Sequence, residues 1–221
     1  EGKAVNGTQK LLEWMEKNNH TFDDCIVGEP TNPNKLGEMI KIGRRGSTNI
    51  TLTLKGNEGH VAYPQLADNP IPKLILILNE LIKEPLDEGN EYFDASNLEI
   101  TSIDAGNSAS NVIPPEISAK LNIRYNDNFT KEKIESEIES RLKKHDYEYS
   151  INFEHSGDSF ITEPGEFVNN LSKIVEKHCK ITPTLSTTGG TSDARFIKNY
   201  GRVVEFGLVG ASMHKINEYS Y

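Results

Sequence analysis

The alternation of hydrophobic and polar residues predicts one folded unit in the middle of the chain. Residues 47–55 alternate strictly in polarity, which is typical of a strand with one buried face. Three later segments have similar strand-like patterns: 97–104, 115–125 and 147–155. Residues 70–83 and 130–145 repeat apolar residues at helical spacing, and the first turn of a helix tolerates the prolines of the former. The order strand, helix, strand, strand, helix, strand is that of a ferredoxin-like unit.

The segments on either side of this unit have the pattern of an α/β layer. The N-terminal flank predicts a helix over residues 8–17, capped by Thr8, then a buried strand over 24–28 and a loop or hairpin over 31–46. The C-terminal flank predicts three elements: a helix over 165–179, a short helix over roughly 192–199 and a buried strand over 203–207. Each flank is too small for a sheet of its own, so we expect much of the layer to lie outside this chain.

The expected architecture is therefore α/β with an inserted α+β unit. A chain of 221 residues has room for one large domain or two small ones. We place the boundaries so that residues 46–157 form the inserted unit, and residues 1–45 and 158–221 are the two pieces of the surrounding domain.

Composition and charge narrow the classes of partner. The net charge of −9 argues against a nucleic-acid-binding protein, which would carry a strongly basic surface. The sequence contains no run of 18 apolar residues, so we expect no membrane-spanning helix, and its start does not resemble a signal peptide. Cys25 and Cys179 are far apart and in no metal-binding or redox motif. We read them as reduced thiols of a cytoplasmic protein.

Two residues are candidate metal ligands. Glu29 follows a predicted buried strand and precedes a proline, and ligands of α/β sheets collect at the carboxyl ends of strands. His214 also follows a strand, and a neutral imidazole is a frequent ligand of zinc. Each has a plainer alternative: Glu29 as a loop carboxylate bonded to backbone amides, and His214 as a solvated side chain.

Three further segments have the chemistry of an anion site. Residues 43–47 place Arg44 and Arg45 between glycines, where guanidinium groups can bind a carboxylate through two hydrogen bonds. Arg124, on a predicted strand, is a second candidate, and the Gly-rich segment 187–193 opens a helix whose first amides could bind an anion. The plainer alternatives are a charged hinge, a cross-strand ion pair and a simple helix cap.

His60 is fixed by its neighbours in the segment 59–64. A glycine precedes it and a proline ends the turn that follows it, so its position is geometrically constrained. A structural loop histidine is the alternative interpretation.

Each of these signals is weak alone, but their identity and order are specific. Seven strings occur together: G-E-P-T at 28–31, G-R-R-G-S at 43–47, G-H-V-A-Y-P at 59–64, S-N-V-I-P at 110–114, G-G-T-S-D-A-R-F at 189–196, V-E-F-G at 204–207 and H-K-I-N-E at 214–218. Together they resemble the two-zinc aminoacylase and carboxypeptidase family, over the whole chain. That family inserts a ferredoxin-like dimerisation domain into a zinc-peptidase-like catalytic domain, so the resemblance implies a homodimer.

The resemblance also implies a metal centre, with two Zn²⁺ or Co²⁺ ions per subunit in the intact protein. Glu29 would bind the first ion and His214 the second, and Glu1 matches the last glutamate of the family's D-E-E run. The remaining ligands and the general base would precede Glu1. We therefore expect this chain to lack part of the catalytic domain, to hold the metals incompletely or not at all, and to be inactive alone.

The activity implied is hydrolysis of the amide of N-succinyl-LL-diaminopimelate, which gives succinate and LL-diaminopimelate for bacterial lysine synthesis. His60 would reach the site of the partner subunit and stabilise the oxyanion there. Eight positions match those that hold the substrate: Lys41, Arg44, Ser47, Tyr63, Asn111, Arg124, Gly190 and Thr191. Gly210 stands where the family's desuccinylases usually have Asn, which bears on specificity.

Two alternatives stay open. One is a related enzyme that acts on another acylated amino acid, such as acetylornithine. The other, for this chain alone, is a non-catalytic dimerisation or ligand-binding module.

Overall fold

The computed structural model describes residues 6–190, 192–213 and 215–219. Within them the helices are α1 (Thr8–Lys17), α2 (Pro70–Ile82), α3 (Lys131–Leu142), α4 (Glu166–Cys179) and α5 (Ala194–Ile197). The strands are β1 (Asp24–Val27), β2 (Met39–Lys41), β3 (Gly43–Arg44), β4 (Gly46–Lys55), β5 (Gly59–His60), β6 (Asn97–Asp104), β7 (Val112–Ile113), β8 (Glu116–Tyr125), β9 (Tyr149–Gly157), β10 (Phe160–Ile161), β11 (Thr184–Ser186) and β12 (Arg202–Glu205).

These elements form two compact units. The central unit contains Gly46–Asn90 and Asp94–Asp158, and the flanking unit contains the chain up to Arg45, Glu91–Phe93 and the chain from Ser159. The division into catalytic and dimerisation domains, at 1–45, 46–157 and 158–221, stays a prediction about what these parts do.

The central unit has the predicted ferredoxin-like topology. Its antiparallel sheet has the order β6-β8-β4-β9. Alternate residues of β4 enter the core, where Ile50, Leu52 and Leu54 are fully buried, because successive side chains of a strand point to opposite faces. The two helices cover this face with seven buried residues: Leu74, Ile77, Leu78, Leu81, Ile134, Ile138 and Leu142.

The flanking unit brings the two ends of the chain into one sheet. Its strand order is β1-β12-β2-β11, in which β1 pairs parallel with β12, β12 antiparallel with β2, and β2 parallel with β11. Val168, Leu171 and Val175 of α4 pack against Ile40 and Val204 of this sheet. The two flanks thus supply strands to one layer, as the sequence predicts.

Several local expectations were wrong. Thr8 does not cap α1, because Gly7 occupies the cap position, and the Thr8 hydroxyl donates to Asp193 at 2.6 Å. The segment 31–46, predicted as a loop or hairpin, contains β2, which pairs with β11 and β12 rather than within a hairpin; this pairing outweighs its Gly- and Asn-rich surroundings. The strand β1 is not buried on both faces, since Ile26 is about half exposed.

Two further expectations concern the chain as a whole. Among the described residues, the structure contains no helix with the length and apolar character needed to cross a bilayer. Cys25 and Cys179 are both free thiols, and burial raises the pKa of the Cys25 thiol.

Candidate active site

An open cleft of about 880 Å³ lies on the flanking unit, lined by Glu29, Lys41, Arg44 and the segment 188–190 among others. The sheet explains why these residues meet. The last residues of four strands lie side by side across it, because Val27 is the register partner of Glu205, Glu205 of Lys41, and Lys41 of Ser186. Because β12 runs antiparallel to β2, the chain leaves this row of strand ends in both directions, and segments that follow the row, including Glu29 and residues 188–190, line the cleft.

Lys41 is a buried amine at the end of β2. Its Nζ donates to Ser186 Oγ at 3.1 Å and to Thr188 Oγ1 at 2.6 Å. Burial and, to a smaller extent, the neighbouring charge of Arg44 lower the pKa of Lys41 to about 8, although the carboxylate of Glu205 opposes both effects. Lys41 is thus a cation that a bound carboxylate would stabilise.

Arg44, on β3, is the second cation of the cleft. Its guanidinium is paired with the carboxylate of Glu205, and its Nη1 donates to the carbonyl oxygen of Thr188 at 2.8 Å. Gly189 has a φ of +101°, and a Cβ at that position would lie 2.4 Å from Nη1 of Arg44. Only glycine therefore lets the loop pass so close to the guanidinium. The next residue, Gly190, lines the cleft.

Glu29 reaches the cleft from the loop after β1. The organiser of this loop is Asn32, which is 1% exposed. The Asn32 Oδ1 accepts from the backbone N–H of Gly37 at 3.0 Å and of Met39 at 2.9 Å, and its Nδ2 donates to the carbonyl oxygen of Gly207 at 2.6 Å. One amide therefore ties the Glu29 loop to the loop that follows β12.

Sequence reasoning missed Asn32 and gave no role to Glu205. Asn32 had a local signal, because it follows the G-E-P-T string in a segment rich in turn residues, where asparagine often bonds nearby backbone groups. Glu205 lay within the V-E-F-G string, but its partner Arg44 is 161 positions away, so no local pattern connects them.

The predicted metal ligands are only partly within the described chain. Glu1 and His214 lie outside the described residues, as does Thr191 of the predicted substrate site. Glu29 and Glu218 both line the cleft, but among the described residues no group of three His, Cys, Asp or Glu side chains could hold a metal ion. A catalytic zinc usually takes three protein ligands. The described residues therefore do not make a metal site by themselves, and the ligand set stays a prediction.

Three of the predicted site residues lie together on the central unit. His60, on β5, is the register partner of Val112 on β7, and the backbone N–H of Val61 donates to the carbonyl oxygen of Asn111 at 3.1 Å. The ring of Tyr63 lies 5.9 Å from that of His60. The Nδ1 of His60 accepts a hydrogen bond from the backbone N–H of Ala62 at 3.0 Å. In the neutral imidazole the proton is therefore on Nε2, which is a donor.

Two others lie opposite each other on neighbouring strands of the same unit. Ser47 on β4 is the register partner of Arg124 on β8. Asn122 contacts both, since its Oδ1 accepts from Nε of Arg124 at 3.0 Å and its Nδ2 lies 3.5 Å from the Ser47 hydroxyl. The predicted positions thus form three local groups: Lys41, Arg44 and Gly190; His60, Tyr63 and Asn111; Ser47 and Arg124.

Comparison with known proteins identifies sequences that are similar to this chain. Residues 42–150 match the family described as the peptidase dimerisation domain. The chain is 51% identical, over 99% of its length, to a succinyl-diaminopimelate desuccinylase from Methylobacterium radiotolerans, of which it covers 57%. A protein of the same name from Rhodospirillum centenum is 53% identical over 99% of the chain and 56% of the relative.

The predicted resemblance is therefore confirmed, and a solved structure agrees with it. An M20 family metallo-carboxypeptidase from Sulfolobus solfataricus has a TM-score of 0.70 at 16% identity, covering 89% of this chain and 58% of that chain. At this identity the likeness concerns the fold alone, and it confirms the predicted fold class. The chain spans somewhat more than half the length of the curated relatives it matches.

Proposed function

We propose that this chain is part of a metal-dependent amide hydrolase that removes the succinyl group from N-succinyl-LL-diaminopimelate. One observation carries the proposal: the buried cations Lys41 and Arg44 line an open cleft in a chain about half identical to succinyl-diaminopimelate desuccinylases. A substrate with several carboxylates needs such cations, because guanidinium and ammonium groups bind carboxylates through charge-assisted hydrogen bonds.

In this proposal the described residues bind and orient the substrate. Lys41 and Arg44 hold one carboxylate, and Gly190 lets the substrate approach the backbone. Arg124, Ser47, Tyr63 and Asn111 contact its other polar groups. Thr191 is assigned to the same task.

The metals would be two Zn²⁺ or Co²⁺ ions, with Glu1, Glu29 and His214 among their ligands. A bound metal of this kind polarises an amide carbonyl and makes water a nucleophile near neutral pH. His60 supplies a hydrogen bond from Nε2 to the oxyanion, in the site of the partner subunit. The tautomer set by the Ala62 N–H supports this donor role.

The partner is a second copy of the protein, joined through the peptidase dimerisation domain. The sheet of the central unit offers β6 as an edge strand, and α2 lies beside it. Ile103 on β6 lies opposite Ala119 on the helix-covered face, yet it is 54% exposed, and Ile75 on α2 is 58% exposed. An apolar edge of this kind fits a second copy that extends the sheet. The same proposal places the protein in the cytoplasm.

The test compares acyl substrates in the full-length protein loaded with Zn²⁺ or Co²⁺. We expect kcat/KM for N-succinyl-LL-diaminopimelate to exceed that for N-acetylornithine by about 100-fold or more, because an acetyl group offers Lys41 and Arg44 no carboxylate. Arg44→Gln should reduce the preference, while Asp24→Asn, which removes a carboxylate paired with Arg202 near the surface, should leave it unchanged. Equal turnover of both substrates would contradict the proposal.

A related deacylase is the second candidate function. It is supported by Gly210, which stands where the family's desuccinylases usually have Asn. Gly210 lines the cleft and, as a glycine, contributes no side-chain amide at that position. Preferred turnover of another acylated amino acid in the same comparison would support this candidate.

A further inference from the structure

Glu205 is a buried carboxylate beside the cleft that no step above uses. It is the last residue of β12 and is 1% exposed. Its oxygens accept from Nε of Arg44 at 3.1 and 3.0 Å, from Nη2 of Arg44 and from the hydroxyl of Ser192. A carboxylate is retained in such a position only when its partners offset the loss of solvation. Two elements distant in sequence therefore depend on this one side chain.

The ion pair with Glu205 fixes the orientation of the Arg44 guanidinium. Nε and Nη2 bind Glu205 side-on, and Nη1 binds the Thr188 carbonyl oxygen. A guanidinium has five N–H groups in a rigid plane. Among the contacts of the described residues, these bonds leave one N–H on each terminal nitrogen of Arg44. These remaining donors can form charge-assisted hydrogen bonds with a carboxylate.

Glu205 also holds the Gly-rich loop. The Ser192 hydroxyl that donates to Glu205 accepts in turn from the backbone N–H of Ala194, the first residue of α5. Gly189 lies against Arg44 from the other side. Arg44 and the loop that passes it are therefore positioned by the same carboxylate.

The charges around the cleft also support a role for Glu205 in binding a carboxylate. Lys41 and Arg44 are two cations, and the charge of Glu205 offsets one of them, as its effect on Lys41 indicates. The remaining positive charge matches one bound carboxylate. A purely structural ion pair would need neither the register next to Lys41 nor the bond to the loop.

We propose that Glu205 is a positioning residue, which holds the Arg44 guanidinium, Ser192 and the loop residues 188–190 beside it in the arrangement that binds a carboxylate of the ligand. This inference rests on the proposed function for the identity of the ligand. Its geometric part, the orientation of Arg44, does not depend on that identity.

The first test uses steady-state kinetics of the full-length, metal-loaded protein. We expect Glu205→Gln to raise KM for the succinylated substrate and the inhibition constant of succinate by about tenfold or more, with a smaller change in kcat. Glu205→Asp, which keeps the charge, should recover part of this loss, and Ser192→Ala should show a milder loss. Asp24→Asn removes a carboxylate from an Arg pair at the surface of the same sheet and should leave both constants unchanged.

The second test needs no turnover. Phenylglyoxal modifies accessible guanidinium groups, and peptide mass spectrometry reads the rate for each arginine. Glu205→Gln should speed the modification of Arg44 severalfold and leave that of Arg202 unchanged. Asp24→Asn should speed the modification of Arg202 and leave that of Arg44 unchanged. If the wild type neither hydrolyses the succinylated substrate nor binds succinate, the proposed function fails, and this labelling still decides whether Glu205 positions Arg44.

The inference is overturned if the folded variants Glu205→Asp and Ser192→Ala have wild-type KM and succinate inhibition constants. It is also overturned if Glu205→Gln lowers the melting temperature while Arg44 is labelled at the wild-type rate. Either result would make Glu205 a structural ion-pair partner only.

Discussion

At the scale of single residues, Lys41 links the protonation state of the cleft to ligand binding. Its ordinary pKa is 10.5, and burial lowers this to about 8 in the folded chain. Between these values the unfolded state holds more protons than the folded one, so the contribution of Lys41 to stability rises with pH there. Ligand binding has the opposite sign, because a carboxylate prefers the protonated amine.

We therefore expect the affinity of the full-length protein for succinate to be highest below about pH 8 and to fall as pH rises through that value. Lys41→Arg should move the fall to higher pH, since arginine keeps its charge. Inhibition constants measured across this range check the prediction. An identical pH profile in wild type and Lys41→Arg would assign the fall to another group.

The same scale shows what the sequence could predict about the site. Arg44 could be predicted because it lies between two glycines, and Gly190 because it belongs to a Gly-rich segment. Glycine is a local signal for close approach to the backbone. Glu205 and Ser192 had no such signal, because their roles arise from contacts with Arg44 across the sheet. A polar side chain inside an apolar strand identifies no partner until the register is known.

At the scale of elements, a strand could be predicted when hydrophobic and polar residues repeat regularly over many positions, and not when the strand is short. β4 has ten residues, and from Thr48 to Lys55 their burial alternates, so its buried face could be predicted. β2 has three residues and forms because β11 and β12 pair with both of its edges. Short strands of this kind depend on tertiary pairing rather than on local propensity, so the row of strand ends that builds the cleft could not be predicted.

Asn32 connects these strand ends, and its loss should be costly. Asn32→Ala would leave the buried N–H of Gly37, the partly buried N–H of Met39 and the Gly207 carbonyl oxygen without this partner. We expect a destabilisation of about 1–3 kcal/mol. Urea unfolding of the purified chain measures it.

Asn34→Ala is the matched control, because Asn34 is exposed two positions further along the same loop. It should change stability by less than about 0.5 kcal/mol. Similar unfolding midpoints for the two variants would show that Asn32 does not organise the loop.

At the scale of the whole molecule, the proposed dimer should depend on the apolar edge formed by β6 and α2. Ile75→Asp combined with Ile103→Asp places charges on exposed apolar positions of this edge and should give a monomer, because a charge is costly to bury in an interface. Light scattering at high micromolar concentration provides the mass. Ile174→Asp on α4, which is 56% exposed on the flanking unit, should leave the dimer intact. A dimeric double variant would place the interface elsewhere.

The proposed cross-subunit role of His60 can be tested by complementation. His60→Ala in the full-length protein should lower kcat by about 10²–10³-fold with little change in KM, because the donor acts on charge that develops in the transition state. Glu29→Ala removes a proposed metal ligand and should also inactivate. A heterodimer of these two subunits has one site with an intact Glu29 and a partner that carries His60, so it should recover part of the activity that neither homodimer shows. If His60 served its own subunit, both sites of the heterodimer would be defective, and confirmed heterodimers would stay inactive.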